Sequence, residues 1–408
     1  MIKLRHKKTF HPIPNPQSPI PSPLLYCQPM KNSAPIRVFL VEDSLVALTI
    51  LKRILASSLE VEVVGTAPNG VEALERIPAA QPQVICTDLH MPKMDGLELT
   101  RRIMADYPRP ILVISTSVNT QEDSRNVFKL LQAGALDVFP KPSIDSLSDY
   151  ENVKHELINR IKVLAGVTVF TRHTSRTATV EPRTHPVSPK SKPEPFNPKP
   201  VSNSQFPIRN SPFSLPKIVA IGASTGGPQA FYTILKQLPA NFPVPILCVQ
   251  HISEGFLQGL VDWLAAECFL RVTIAQPGEF PKPGTVYFAP ERQHLQLDTQ
   301  GRLTTVSTPA VSGHRPSVTA LFQAVATCYP RAAVGILLTG MGRDGADGLQ
   351  AIAQAGGTTI AQDEQTCVVF GMPKEAIALG AAQHILAIGE IAPMLLNRIC
   401  YMNSKHLF

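Results

Sequence analysis

The chain has 408 residues, 44% of them apolar, which is too long for one ordinary domain and enough for two cores. Lys and Arg outnumber Asp and Glu by 38 to 31, yet no aromatic-basic platform or helix-turn-helix pattern accompanies the charge of +7, so nucleic-acid binding is not expected. No apolar run approaches the roughly 18 residues of a membrane-spanning helix, and the seven cysteines form no C-x-x-C pair that would suggest a disulfide frame or zinc site.

Residues 1–34 are basic and broken by Pro12, Pro14, Pro16, Pro19, Pro21 and Pro23. A basic start without a following apolar stretch does not make an export signal, so a cytoplasmic protein without membrane insertion is expected. Proline-rich chain of this kind cannot bury a core and reads as a disordered tail. Met30 stands just before the first strand, which leaves Met1 and Met30 both open as translation starts.

Residues 35–150 alternate short apolar runs with helical patterns. Strands are expected at 36–41, 61–65, 84–87, 111–115 and 135–139, and helices at 70–77, 97–106 and 122–133, with a terminal helix reaching as far as 166. Five such repeats imply a doubly wound, parallel (βα)5 domain. Glu42 and Asp43 follow the first strand, Asp88 the third; Ser115 closes the fourth, and Lys141 follows the fifth. Three carboxylates meeting at one crevice repel one another unless a cation joins them, and oxygen ligands of this kind suit Mg²⁺. Asp88 is then placed to attack a phosphoryl donor, with Ser115 and Lys141 contacting the new phosphoryl oxygens.

Val41-Glu42-Asp43-Ser44, the run from Thr87 to Gly96 and Phe139-Pro140-Lys141-Pro142 resemble the response-regulator receiver family. The resemblance implies phosphorylation of Asp88 by a histidine kinase, with Mg²⁺ held by Glu42, Asp43, Asp88 and the His90 backbone carbonyl. Two positions depart from the pattern. Glu42 stands where Asp is commoner, and Val138, with Phe139 beside it, stands where an aromatic switch residue is usual.

Residues 167–214 are again proline-rich and basic and read as a linker. From 215 to 405 strand and helix alternate once more, in a Rossmann-like α/β pattern with a mostly parallel sheet. The apolar run 217–221 leads into Gly222-Ala223-Ser224-Thr225-Gly226-Gly227 and then a helix, the layout of a nucleophile elbow. A dinucleotide site would want G-x-G-x-x-G and a carboxylate ending the next strand, which here ends in Gln250-His251. A serine on such a turn needs a base and a carboxylate. His251 follows the strand at 246–250, and Asp344 follows that at 334–339. The order Ser, His, Asp is not that of α/β-hydrolases, so a different fold carries a similar set.

The elbow, together with Val249-Gln250-His251, His314-Arg315-Pro316-Ser317-Val318, the run from Leu338 to Gly345 and that from Cys367 to Pro373, resembles the chemotaxis protein-glutamate methylesterase family, CheB. The resemblance spans both domains. It implies phosphorylation-activated hydrolysis of glutamate γ-methyl esters on chemoreceptors, with deamidation of receptor glutamines by the same attack. Chemoreceptors and a chemotaxis histidine kinase are the implied partners, and no cofactor is expected in the esterase domain. Ser224, His251 and Asp344 form the expected triad, and backbone N–H groups at Thr225 and Met341 the expected oxyanion donors.

His314 is a rival base, although its loop position favours a pocket or structural role. Asp363 and Glu364 compete with Asp344, Arg315 either contacts acidic receptor surface or makes an ordinary surface salt bridge, and Cys367 reads as core. Two other classes can be set against this one. A non-catalytic adaptor of a chemosensory array would not need the Ser-His-Asp set, and a transcription factor should show a basic helix-turn-helix after the receiver.

Overall fold

The computed structural model describes residues 34–115, 121–142, 147–169 and 215–401. Residues 1–33 and 170–214, which carry the expected tail and nearly all of the expected linker, lie outside the described residues.

The first sheet comprises β1 (Ile36–Val41), β2 (Val61–Ala67), β3 (Val84–Thr87), β4 (Ile111–Ser115) and β5 (Asp137–Pro140). Its order is β2-β1-β3-β4-β5, and every pairing is parallel. β3 and β4 are buried along their whole length, as their unbroken apolar sequences require of strands covered on both faces. Around them lie α1 (Leu45–Ala56), α2 (Gly70–Ala80), α3 (Gly96–Asp106), α4 (Gln121–Ala133) and α5 (Leu147–Ala165). Ser44, Asn69 and Asp95 cap the first three by accepting from backbone N–H groups of the first turn. The strand order reverses between β1 and β3, which opens a crevice at their carboxyl ends.

Several boundaries differ from the sequence reading. β2 runs past Gly65 to Ala67, because a Cβ at Gly65 would stand 2.5 Å from the Phe39 ring and the glycine lets pairing continue. α2 carries Pro78 in its last turn and ends only at Ala80, where Gln81 caps it with φ 41°. β5 starts at Asp137 because the Ala135 N–H is spent on Leu130 O, closing α4.

The second sheet is built from β6 (Ile218–Ala223), β7 (Ile246–Gln250), β8 (Arg271–Ile274), β9 (Thr285–Phe288), β12 (Ala333–Leu337), β13 (Thr358–Gln362) and β14 (His384–Leu386). Its order is β14-β13-β12-β6-β7-β9-β8, again all parallel. The antiparallel hairpin of β10 (His294–Leu297) and β11 (Leu303–Val306) stands apart from it. α6 (Gly227–Leu235), α7 (Leu257–Glu267), α8 (Val318–Cys328) and α9 (Ala346–Gln354) cover the sheet, followed by two shorter α-helices and a final π-helical turn. The chain leaves β6 for β7 on one side and later takes up β12 on the other, so the switch point lies between β6 and β12.

β12 stops at Leu337, not at 339, because the Thr339 N–H leaves the ladder for Gln362 Oε1 at 2.9 Å. α8 begins at Val318, because Ser317 caps it by accepting from the Ala320 N–H.

One apolar cluster passes from the first sheet's helices into the second's. Phe128 of α4 stacks on Trp263 of α7, ring centres 5.3 Å apart and planes 9° from parallel. Beside them Gln229 Nε2 donates to Leu131 O at 2.6 Å and Ala135 O at 3.1 Å. Cys86 and Cys248 are free, buried strand residues, and burial raises both thiols.

Candidate active site

Ser224 stands on the turn between β6 and α6, at the switch point. Space explains the glycines around it. A Cβ at Gly222 would lie 2.1 Å from Val318 Cγ1, and Gly226 combines φ 79° with a Cβ position 2.6 Å from Val368 Cβ. The turn is held from three sides. The Ser224 N–H donates to Thr339 O at 3.0 Å, Thr339 Oγ1 donates to Thr225 O at 2.9 Å, and Gln250 Nε2 donates to Ser224 O at 2.8 Å. Since the serine's own N–H is engaged, it cannot also serve an oxyanion. Among the described residues the N–H groups of Thr225 and Met341 have no acceptor, so both are available to one.

His251 follows β7, and its Nε2 lies 2.9 Å from Asp344 Oδ2. The other nitrogen, Nδ1, is buried without a hydrogen-bond partner among the described residues. The Ser224 hydroxyl likewise makes no hydrogen bond there, but Ser224 and His251 line one cavity of about 590 Å³. The ring of His314 lies flat against that of His251, centres 3.9 Å apart and planes 7° from parallel. His314 thus touches the imidazole face, while His251 is the one that meets Asp344. Burial, reinforced by the neighbouring His251, pushes His314 down to about 4.

Asp344 is 1% exposed and fully solvated by protein donors. Ser317 Oγ donates to Oδ1 at 2.8 Å, and the backbone N–H groups of Val318 and Thr319 donate at 2.8 and 3.0 Å. These come from the first turn of α8, where unpaired N–H groups and the helix dipole favour an anion. Burial alone would raise the Asp344 carboxyl, but the His251 contact and these donors hold it well below the usual carboxylate range. Asp363 is turned to Thr366 instead, and Glu364 is exposed. Burial pushes Cys367 up to about 12, which leaves little thiolate for nucleophilic attack. Arg315 lines the cavity, its Nη1 donating to Ser307 O and Thr308 O.

Across the same cavity runs α5. Asn152, His155, Glu156, Asn159, Arg160 and Val163 line it, spaced as one face of a helix. Arg160 Nη1 bonds Asp137 Oδ2 at 2.6 Å, and Thr225 Oγ1 donates to that oxygen at 3.3 Å. A receiver-side carboxylate therefore touches the residue next to Ser224.

The second site lies at the carboxyl ends of β1 and β3. Ligand oxygens of Glu42, Asp43 and Asp88 fall within 4.8 Å of one another. Lys141 Nζ reaches Asp88 Oδ2 at 2.7 Å and Glu42 Oε1 at 2.9 Å, and the Lys141 N–H donates to Ser115 O at 2.7 Å. Burial, with the Asp88 charge adding to it, raises the Glu42 carboxyl despite the lysine. Glu42 Oε2 is buried with no protein partner among the described residues, which suits a cation ligand. His90 is exposed on the loop after Asp88. Val138 and Phe139 are both core residues, 2% and 0% exposed, so neither stands at the surface as a switch.

The sequence reading assigned no role to Ser317, Thr339, Gln250, Asp137 or Arg160. Ser317 carried a usable signal, a serine placed just before an apolar helical run. The others act on partners far along the chain and leave no local trace.

A family model described as CheB methylesterase matches residues 219–395, and one described as response regulator receiver domain matches residues 38–149. The protein-glutamate methylesterase/protein-glutamine glutaminase 4 of Myxococcus xanthus is 40% identical over 366 residues, 90% of this chain and 97% of its own length. The protein-glutamate methylesterase/protein-glutamine glutaminase of Nitrosospira multiformis is 40% identical over 372 residues, 91% of this chain and 99% of its own. The crystal structure of the Thermotoga maritima CheB methylesterase catalytic domain is 41% identical and covers 45% of this chain and 99% of its own, with a TM-score of 0.44.

Proposed function

The chain belongs to the CheB methylesterase family whose members carry a response-regulator receiver domain, and from that membership we propose that it hydrolyses glutamate γ-methyl esters on chemoreceptors and deamidates receptor glutamines under phosphorylation control. Ser224, His251 and Asp344 do the chemistry. The Ser224 hydroxyl attacks the ester carbonyl while His251 takes its proton. Because Nε2 lies against Asp344, the receiving nitrogen is Nδ1. Asp344 stays ionised, fixes the ring and stabilises the imidazolium without accepting the proton. The developing oxyanion is met by the free N–H groups of Thr225 and Met341, each such donor being worth on the order of 10²–10³ in rate. His251 returns the proton to the departing methanol, and water then hydrolyses the acyl-enzyme. In deamidation ammonia leaves instead.

In the receiver, Asp88 is the phosphoacceptor and a chemotaxis histidine kinase the donor. Glu42, Asp43, Asp88 and the His90 carbonyl are the residues that would hold Mg²⁺, which supplies positive charge against the incoming phosphoryl oxygens. Lys141 and the Ser115 hydroxyl bind the phosphoryl group once it is on Asp88. A cytoplasmic site of action follows from this partner set, and no helix among the described residues is long and apolar enough to cross a membrane.

The observation that carries the reading is the buried, donor-saturated Asp344 against His251, on the cavity that Ser224 lines. Methanol release from methylated receptor, with and without a small phosphodonor, tests it. Stimulated release that vanishes in Ser224→Ala is expected. Release that persists in that variant would return the chain to the adaptor class.

A further inference from the structure

The loop that leads into α8 does two things at once. Val311 and His314 exchange backbone hydrogen bonds at 3.0 Å across Ser312 and Gly313, whose φ values are 53° and 81°. Positive φ at both central residues is what a tight type I′ turn requires, so the His314 backbone is fixed. Three residues later Ser317 donates to Asp344. One loop therefore sets both the edge partner of His251 and the group on its face.

We infer that His314 is a positioning residue for His251, its flat ring holding the imidazole so that Nε2 stays on Asp344 and Nδ1 is left for the Ser224 proton. The inference rests on the proposed hydrolase reading. His314 lies flat on the face of that ring, and among the described residues Nδ1 makes no hydrogen bond that would hold it by its edge. The stacked ring also has a part in the reaction coordinate. When His251 becomes an imidazolium, the π face of a neutral His314 lies against the new charge, an attraction that the resting state lacks. Burial keeps His314 neutral at ordinary pH, so it presents a ring face and not a second charge.

The test uses the full chain with phosphodonor present, carrying His314→Ala, His314→Gln or His314→Phe. Aromatic stacking energies correspond to a fall in kcat of about three- to tenfold for the Ala and Gln variants, with KM nearly unchanged. The Phe variant, which restores a flat face without titratable nitrogens, should recover most of the loss. Proton NMR of the His251 Nε2–H bound to Asp344 gives a readout that needs no turnover. Its resonance should broaden or vanish in the Ala and Gln variants and persist in the Phe variant. Ala and Gln variants that keep both kcat and that resonance would overturn the inference, as would a Phe variant as impaired as Ala. Absence of hydrolysis in the unaltered chain would count against the hydrolase reading alone, and the resonance would still decide the role of His314.

Discussion

Asp344 shows how much of the candidate site is a problem of solvating one carboxylate. Four protein donors do what water does outside, and removing one has a definite cost. Ser317→Ala should destabilise the fold by about 1.5–3 kcal/mol, the range for a hydrogen bond to a charged group, read as a shift in the denaturant midpoint at neutral pH. The folded carboxyl is held below its ordinary value, so its contribution is present above the unfolded value of 3.8 and disappears as pH falls through the folded one. His314 acts on a different window. Its folded value is about 4 against an ordinary 6.5, so the unfolded chain binds the proton first and stability falls as pH drops between the two. Thermal midpoints measured from pH 7 to 4 should therefore decline less steeply in His314→Phe, where His251, Asp344 and Arg160 still face the ring. An unchanged slope would mean that His314 is charged in the folded state. For the triad itself, Ser224→Ala should abolish methanol release with the midpoint preserved, and His251→Ala should be nearly as severe because such residues act as a unit.

At the scale of elements, the close approach of β6 and α8 matters more than either alone. Gly222 touches Val318, whose N–H holds Asp344. Gly222→Ala should cost about 1–3 kcal/mol of stability, as overpacking does, and should lower kcat further than the lost stability explains, since it separates Ser224 from its carboxylate. Thermal melts alongside single-turnover rates on the same preparation would expose either part. These elements were legible in the sequence because their apolar runs and glycine turns are local signals. The parallel sheets, the elbow, and the polar residues at strand ends all followed from such runs. Boundaries were less legible where a contact overrode the apolar pattern: Phe39 filling the space at Gly65 from the neighbouring strand, and the local closures that Ala135 makes on α4 and Ser317 on α8. The hold of Thr339 and Gln250 on the elbow, and the choice of Nε2 for Asp344, depend on residues that only the folded chain brings together.

On the scale of the whole molecule, the receiver helix α5 lies along the cavity that holds Ser224, with Asp137 and Arg160 at its edge. On the proposed function a receptor segment and α5 compete for that cavity. This contact is then the inhibited state, and a closed form outnumbering the open one a hundredfold needs only about 2.7 kcal/mol. Removing residues 1–214 should accordingly raise the basal rate, by up to about a hundredfold if closure is of that order. Asp88→Asn should block stimulation by phosphodonor and leave the basal rate as it was. A folded 215–408 fragment no faster than the unphosphorylated whole would rule out occlusion as the means of control.

The Phe128–Trp263 stack gives that rearrangement a colour. Trp263 is the chain's single tryptophan, 3% exposed and lying against a receiver ring. Indole emission from the intact protein therefore comes from one place, the seam between its two halves. If phosphorylation parts that seam, water reaches the indole and the emission maximum moves to longer wavelength in step with methanol release, while Asp88→Asn stays dark to the change. A stimulated enzyme with an unmoved spectrum would mean that the receiver unlocks the cavity by shifting α5 alone, with α4 still seated on α7.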